Sequence, residues 1–463
     1  PFSADGTWTA GSWESRTSPS NHAQPLEISV SRGCAFACFG HIFEAHPCLW
    51  HNDCIQNEGG AQVEIRNARA EEWELFLALG QYAFQYELSE ADQEDWKRRF
   101  ESLHVWGAFE GESLQAMLIV IPLHMYLQGQ SVEMGGVASV ATWPEQRRNG
   151  AVKRLIQQAL QHMRSEGQAW SMLAPFSYGF YRKYGWEMLT EHRTYTLAKT
   201  QLPQPQDVGG RVERRPVLNG ALAKELSPLY EAYASRYNGT LQRTLEWWET
   251  SVFKRKSGQA AIYYNEANEP RGYVVYACKN RNLHVHELVA LDEQARRGIW
   301  RFLSNHDSMI NHLYWSAPMD DRLPAQLPDP RIGQSIEPYF MVRIVDVMGA
   351  LSDYPFETVS GASSVRCIRL TIEDATCAWN QGVFELTPEA AGSVRVSRAS
   401  ADETDGLNGV SLACDIQTLS VMMSGYLRPF ELYRMLRLQG DEEAVRMLEQ
   451  LIPARPTGML DFF

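Results

Sequence analysis

A strand, a turn and an amphipathic helix follow one another along residues 131–166, and this arrangement constrains the fold more than any other part of the chain. The strand (131–142) is mostly apolar, and Pro144 and Gly150 mark the turn that leads into the helix. Apolar residues then recur at the i, i+3, i+4, i+7 spacing of a helix that packs one face on a core. They are Val152, Leu155, Ile156, Ala159, Leu160 and Met163. The pattern predicts a mixed α/β fold in which this helix begins at the end of a strand.

The predicted start of the helix, at Gly150, is suited to bind an anion. The first four backbone N–H groups of a helix have no partner within it, and the helix dipole places partial positive charge there. Arg147 and Arg148 add full charges at the same place, and Gly150 lets a ligand approach the backbone. An Arg-Arg-x-Gly tetrapeptide alone is more often a solvated helix start. The strand and amphipathic helix around it favour a diphosphate site.

Length and charge limit the functional classes open to the chain. Its 463 residues are enough for about three domains. The formal net charge of −13 argues against nucleic-acid binding, which needs a basic surface, and agrees with a cationic substrate. The longest apolar run, 116–123, is too short to span a membrane, and no secretory signal is visible. We therefore expect a cytoplasmic protein that binds neither nucleic acid nor a membrane.

Residues 1–61 are predicted to form a poorly ordered extension without a function of its own. The first methionine is Met117, inside a segment that reads as folded, so we expect this part to be an extension or a translated leader. Four cysteines and three histidines crowd into it but lack the paired C-x₂-C spacing of a zinc site, and we predict no metal. They are Cys34, Cys38, His41, His46, Cys48, His51 and Cys54.

Turn signals and hydrophobic patterns divide the remaining chain into three segments, 62–202, 203–350 and 351–463. Prolines and glycines between 203 and 210 suggest a linker, and residues 293–298 echo residues 145–150, which hints at a duplication. Strands are predicted at 63–68, 105–109, 113–123, 131–142, 169–174, 365–372 and 393–396, and helices at 70–86, 90–100, 150–166, 177–184, 416–423 and 429–436.

The strand–turn–helix unit resembles the coenzyme A site of the GNAT superfamily of N-acetyltransferases. In that family Arg/Gln-x-x-Gly-x-Gly/Ala binds the diphosphate, and the match here is Arg147-x-x-Gly150-x-Val152. The valine departs from the usual small residue, a change that the "enhanced intracellular survival" (Eis) proteins tolerate. Residues 174–186, which include Phe180-Tyr181 and Tyr184-Gly185-Trp186, resemble the family's Phe-Tyr-x-x-Phe/Tyr-Gly-Tyr/Trp segment. The resemblance to the Eis family extends over about 63–463.

This resemblance implies tandem GNAT folds, the second degenerate, followed by a sterol-carrier-like α+β domain, with acetyl-CoA as co-substrate. It implies Tyr181 as proton donor to the leaving thiolate and the C-terminal carboxylate of Phe463 as proton acceptor. On periodicity alone Tyr181 could be a packed aromatic, and Phe463 could merely fill an apolar groove. The implied coenzyme A contacts are Val140, Ala141, Thr142, Arg148, Asn149, Gly150, Ala151, Val152, Lys153, Phe176 and Ser177.

The implied activity is acetyl transfer to an amine-bearing small molecule, a polycation such as an aminoglycoside, by a homo-oligomer, a hexamer. Two alternatives stay open: a protein lysine N-acetyltransferase, and a non-catalytic protein that holds an apolar ligand in the sterol-carrier-like domain. Trp73, Phe84, Glu87 and Trp106 precede the cofactor strand and are candidates for the acceptor pocket, but each fits the core equally well.

Overall fold

The computed structural model describes residues 63–101, 103–205, 207–216, 218–357, 367–389, 393–399 and 410–463. The predicted N-terminal extension and its cluster of cysteines and histidines lie outside the described residues. Within the described ranges, no helix combines the length and the apolar character that crossing a membrane requires.

The first segment is a sheet with helices on both faces. Its strands are β1 (Glu64–Asn67), β2 (His104–Glu110), β3 (Ser113–Leu127), β4 (Gln130–Thr142), β5 (Trp170–Leu173) and β6 (Glu187–Ala198), and its helices are α1 (Trp73–Phe84), α2 (Glu90–Phe100), α3 (Ala151–Ser165) and α4 (Tyr178–Arg182). Strand β3 is longer than the predicted 113–123, because a two-residue turn at Gln128 and Gly129, both with positive φ, keeps it paired with β4.

The alternation of side chains along β3 explains the two helical layers. Leu118 and Val120 pack in the cluster that holds α3, whereas Met117 and Ile119 pack in the cluster that holds α1 and α2. Helix α3 therefore covers one face of the sheet, and the opposite face is covered by α1 and α2.

The second segment continues the same sheet. Its elements are β7 (Arg211–Arg215), α5 (Gly220–Ala234), α6 (Leu245–Trp247), α7 (Phe253–Arg255), β8 (Gln259–Tyr264), β9 (Pro270–Lys279), β10 (Asn282–Ala290), α8 (Glu293–Ser304), β11 (His312–Ala317), β12 (Gly333–Ile344) and α9 (Val347–Ser352). The strand order is β1-β2-β3-β4-β5-β12-β6-β11-β10-β9-β8-β7. Strand β12 thus inserts between β5 and β6, and the second segment completes the sheet of the first.

The third segment is a smaller α+β unit. Its elements are β13 (Ile368–Glu373), β14 (Gly382–Pro388), β15 (Val394–Arg398), β16 (Val410–Asp415), α10 (Ile416–Met423), α11 (Pro429–Arg434), β17 (Gln439–Gly440) and α12 (Glu442–Leu451). The strands form a separate sheet in the order β15-β14-β13-β16-β17. Helix α10 packs against β12, which links this unit to the large sheet.

Candidate active site

Strands β4 and β5 run parallel for three residues and then separate. Their register ends at Gly136, which lies opposite Met172, while β4 continues to Thr142. Beyond that point β5 pairs with β12 on its other side. Among the described strands, none covers this edge of β4 from Val137 onward, so backbone groups there are open to a ligand between the two strands.

A bulge in β4 lies within this open stretch. Met117 pairs with Ala141 and Ile119 with Ala138, so two residues of β4 oppose one of β3. Ser139, in the bulge, has a φ of 51°. A bulge of this kind turns local peptide groups away from the regular ladder. The predicted contacts Val140, Ala141 and Thr142 follow it directly.

Helix α3 begins with its N-terminus unprotected, as the sequence predicts. Gly150 is the N-cap at φ 78°, and no side chain caps the helix. The first turn carries no acidic residue, and a β-carbon placed on Gly150 would meet no atom within 4 Å. Arg148, Asn149 and Lys153 are exposed around it. The donors and charges that a diphosphate needs are therefore together and accessible.

The side chains of Ala151 and Val152 contribute packing to this turn. Ala151 is buried on the sheet, and Val152 is half-buried against the same cluster. Val152, predicted to be buried, is thus only partly so, because the helix turns Ala151 toward the core instead. A valine in place of the family's small residue leaves the N-terminus open here.

The corresponding helix of the second segment, α8, begins in the opposite way. The Asp292 carboxylate accepts a hydrogen bond from the Ala295 N–H at 2.8 Å and pairs with Arg271 at 2.9 Å. Gly298, which echoes Gly150 in sequence, lies inside α8, where a β-carbon would stand 2.3 Å from the Tyr263 ring. This helix start is occupied by a carboxylate of its own, so the second segment lacks the open anion site of the first.

Tyr181 lies in helix α4 with its ring packed among aromatic neighbours. Phe180 and Trp186 contact it at centroid distances of 5.1 and 6.2 Å, and only 3% of its surface is exposed. Its hydroxyl forms no hydrogen bond with a described residue, and burial raises the pKa of this phenol well above its usual range. Ser177 is the N-cap residue of α4, and Phe176 is 70% exposed beside it. The phenol is therefore protonated at neutral pH and available as a donor.

The end of the sequence lies at the base of the opening between β4 and β5. A β-carbon on Gly136 would stand 2.8 Å from Cε2 of Phe463, and the ring centroids of Phe463 and Phe340 are 5.0 Å apart. The neighbouring Gly135 faces Met163 of α3 instead. Phe463 therefore reaches the opening from the face opposite α3.

A buried network in the second segment holds this tail. The Asp461 carboxylate accepts hydrogen bonds from Arg243 Nε at 3.0 Å, Trp247 Nε1 at 3.0 Å and the Tyr230 hydroxyl at 3.2 Å. Arg243 also donates to both carboxylate oxygens of Glu287, at 2.9 and 2.6 Å. Burial disfavours the charge on Glu287, but Arg243 and Lys256 together outweigh it and hold the pKa of that carboxyl below its usual range. No local pattern in the sequence indicates this network, because Arg243 is 44 residues from Glu287 and 218 residues from Asp461.

The acceptor-pocket candidates lie on different faces. Trp106 is 7% exposed and packs in the core cluster beneath α3, which removes it from the face that the tail approaches. Trp73 and Phe84 belong to α1 on the tail side, and both Phe84 and Glu87 are exposed. Of the four, only Trp106 is therefore clearly a core residue.

Comparison with known families gives three matches along the chain. Residues 64–189 and 239–344 each match a model of the acetyltransferase (GNAT) domain, and residues 347–459 match the sterol carrier protein domain. The order of these matches is the order implied by the resemblance.

Individual relatives agree with the family matches. An uncharacterized N-acetyltransferase of Streptomyces avermitilis is 26% identical over 314 residues, which are 62% of this chain and 74% of the relative. A probable N-acyltransferase of Enterococcus faecalis V583 superposes with a TM-score of 0.79 at 26% identity, over 87% of this chain and 100% of its own. Eis1 from Mycobacterium abscessus superposes with a TM-score of 0.67 at 19% identity, over 86% and 100%. The last likeness shows a shared fold.

Proposed function

We propose that this chain, an N-acetyltransferase with two GNAT domains and a C-terminal sterol carrier protein domain that shares the fold of Eis1, uses its first GNAT domain to transfer the acetyl group of acetyl-CoA to an amine of a small molecule. The observation that carries this proposal is the uncapped, basic start of α3 beside the open edge of β4. The unpaired N–H groups of the helix start and the basic side chains beside it can bind the diphosphate of acetyl-CoA, and the open strand edge next to them can bind its extended arm.

The first GNAT domain holds coenzyme A through groups on three elements. Backbone N–H groups from Arg148 to Lys153 and the nearby cationic side chains bind the diphosphate. The pantetheine arm adds along the open edge of β4, at Val140 to Thr142, as an extended ligand adds to a sheet. Phe176 and Ser177 line the opposite side, where the exposed Phe176 ring gains an apolar partner.

Acetyl transfer needs a proton acceptor and a proton donor on the two sides of the thioester. The attacking amine loses a proton to the terminal carboxylate of Phe463 as the new C–N bond forms. Backbone N–H groups of β4 stabilise the negative charge on the carbonyl oxygen. The C–S bond then breaks, and Tyr181 gives its proton to the departing sulfur. The products are the N-acetyl amine and coenzyme A.

Free thiol is the product that tests this function. Purified protein is incubated with acetyl-CoA and one acceptor at a time, and thiol is followed with a chromogenic disulfide. Kanamycin represents the aminoglycosides that the family resemblance implies, and a lysine-containing peptide represents protein substrates. Thiol release that occurs only when a small amine is present supports the proposal. Release with the peptide alone would replace it by a protein acetyltransferase, and no release with any acceptor would overturn it.

Assembly as a hexamer is a further part of the proposal and rests on the family resemblance. Light scattering on the eluted peak of a size-exclusion column measures the mass directly. A mass six times that of the 52.6 kDa chain is expected, and a monomeric peak at micromolar concentration would contradict it.

A further inference from the structure

The acceptor must enter from the face of the sheet that α3 leaves free. Gly135 faces Met163 of α3, whereas Gly136 faces Phe463 on the opposite side. An amine that meets the proposed base at Phe463 therefore approaches between α2 of the first segment and α7 of the second. The Lys254 ammonium joins these two helices through the Asp95 carboxylate at 2.6 Å.

Positive charge marks this approach. Arg255 is the last residue of α7, and its guanidinium carbon lies 5.1 Å from the centre of the Phe462 ring. Phe462 directly precedes Phe463. Arg255 is exposed to solvent and makes no hydrogen bond or ion pair with any residue that the structure describes. Desolvation lowers the pKa of Arg255, and the positive charge of the nearby Arg99 in α2 contributes to the same shift.

Two side-chain carboxylates on this approach already pair with other groups. Asp461 is bound by Arg243, Tyr230 and Trp247. Asp95 is bound by Lys254. A guanidinium that lies beside a second positive charge and pairs with no side-chain carboxylate among the described residues can accept an anion from a ligand without breaking an existing ion pair.

We propose that the acceptor carries an anionic group, a carboxylate or a phosphate, beside the amine that is acetylated, and that Arg255 binds it. This inference rests on the proposed function and narrows its substrate class. A guanidinium presents a fork of donors that matches either anion, so the shared chemistry is an oxyanion with two acceptor atoms. Arg255 is a specificity-determining residue in this account, because it orients the amine toward Phe463. Polycations such as kanamycin would bring further positive charge to the two arginines.

Matched acceptor pairs test this inference in the same thiol assay. Glucosamine 6-phosphate is compared with glucosamine, and γ-aminobutyrate with its amide, so that each pair differs in the anion and the two pairs separate phosphate from carboxylate. Wild-type protein is expected to favour the anionic member of at least one pair by about tenfold in kcat/KM, the value of one charge-assisted hydrogen bond. Arg255→Gln should bring that ratio close to one, and Arg255→Lys should restore part of it.

Arg446→Gln is the matched control, since Arg446 is an exposed arginine of α12 paired with Glu442. It should leave the wild-type preference unchanged. Equal rates within both pairs, a preference for kanamycin over all four acceptors, or a preference that survives Arg255→Gln would overturn the inference while leaving the proposed function intact. Thiol release from none of the acceptors would overturn the proposed function, and this inference with it.

Discussion

The ring of Phe463 occupies the place where a side chain on Gly136 would stand, with 2.8 Å between Cε2 and the position of a β-carbon. Gly136 is also the last residue of β4 that pairs with β5. The tail can therefore reach the point where the strands separate only because that residue is glycine. This contact places the end of the sequence beside the proposed path of the thioester.

Extending the chain beyond Phe463 should impair turnover. A short Gly-Ser extension converts the terminal carboxylate into an amide, which accepts no proton, so kcat is expected to fall by about 10²–10⁴-fold. Steady-state thiol release measures kcat, and calorimetry measures coenzyme A affinity, which should stay close to the unextended value. The same extension at the N-terminus is the control. Full activity of the C-terminally extended protein would remove the carboxylate from the reaction.

Replacing Tyr181 by phenylalanine should slow the chemical step. The ring packing is retained but the proton for the leaving sulfur is lost, so kcat should fall by about 10²-fold or more with little change in melting temperature. Tyr178→Phe is the control, because the Tyr178 hydroxyl is already engaged with the Tyr339 carbonyl at 3.4 Å. A larger loss in the control than in Tyr181→Phe would mean that the wrong tyrosine has been assigned.

Gly150→Ala and Gly111→Ala form a matched pair for the cofactor site. Both glycines have positive φ, 78° and 61°, and a β-carbon on either meets no atom within 4 Å. Each substitution should therefore cost about 1–2 kcal/mol of stability through backbone strain alone. Only Gly150→Ala should weaken coenzyme A binding, by about tenfold, because it disturbs donors at the start of α3. Equal affinity in the two variants would contradict a diphosphate at Gly150.

Asp461→Asn should uncouple the tail from its anchor. Loss of the carboxylate leaves Arg243 with one ionic partner fewer in a buried site, at a cost of about 3 kcal/mol in the free energy of unfolding. We expect kcat to fall while coenzyme A affinity persists, since the tail loses its fixed position.

Asp374→Asn supplies the control for that loss of stability. Asp374 pairs with Arg343 at 2.7 Å, and both side chains are as deeply buried as those of the Asp461 pair. Urea unfolding should show similar costs for the two substitutions. If both variants kept the wild-type kcat, the Asp461–Arg243 pair would have a structural role only.

A half-buried histidine, His286, makes the free energy of unfolding depend on pH in mild acid. Burial, with a contribution from Lys256, lowers the pKa of His286 to about 4, below its value of about 6.5 in unfolded chains. Between these values the unfolded state binds more protons, so stability is complete above pH 6.5 and is lost as the pH falls toward 4. One such group contributes up to about 1.4 kcal/mol per pH unit. Urea unfolding from pH 7.5 to 4.5 should show a shallower slope for His286→Gln, and an unchanged slope would exclude this histidine.

Features encoded locally could be predicted from the sequence. The apolar spacing in α3 and the glycine before it determine a helix with an open start, and the structure has that helix at Ala151–Ser165. The helix predicted at 90–100 and the one predicted at 416–423 have the observed bounds as well. Each of these depends on residues within a few turns of one another, where periodicity is informative.

Strand pairings and ion pairs between residues far apart in the sequence could not be predicted from local patterns. Nothing local indicates that β12, more than 130 residues after β6 begins, inserts between β5 and β6. Arg243, Glu287 and Asp461 carry no periodic signal, although together they fix the tail. The echo at residues 293–298 correctly indicated a duplicated domain. It did not reveal that Gly298 lies inside a helix, whereas Gly150 precedes one.

Calorimetric titration tests most directly whether the start of α3 binds the diphosphate of coenzyme A. Coenzyme A and 4′-phosphopantetheine, which lacks the diphosphate and the nucleotide, are titrated in turn into the full chain. We expect one coenzyme A to bind per chain, the shorter ligand to bind clearly more weakly, and Gly150→Ala to bind coenzyme A more weakly than the unsubstituted protein. No heat with coenzyme A, or equal affinity for both ligands, would contradict it.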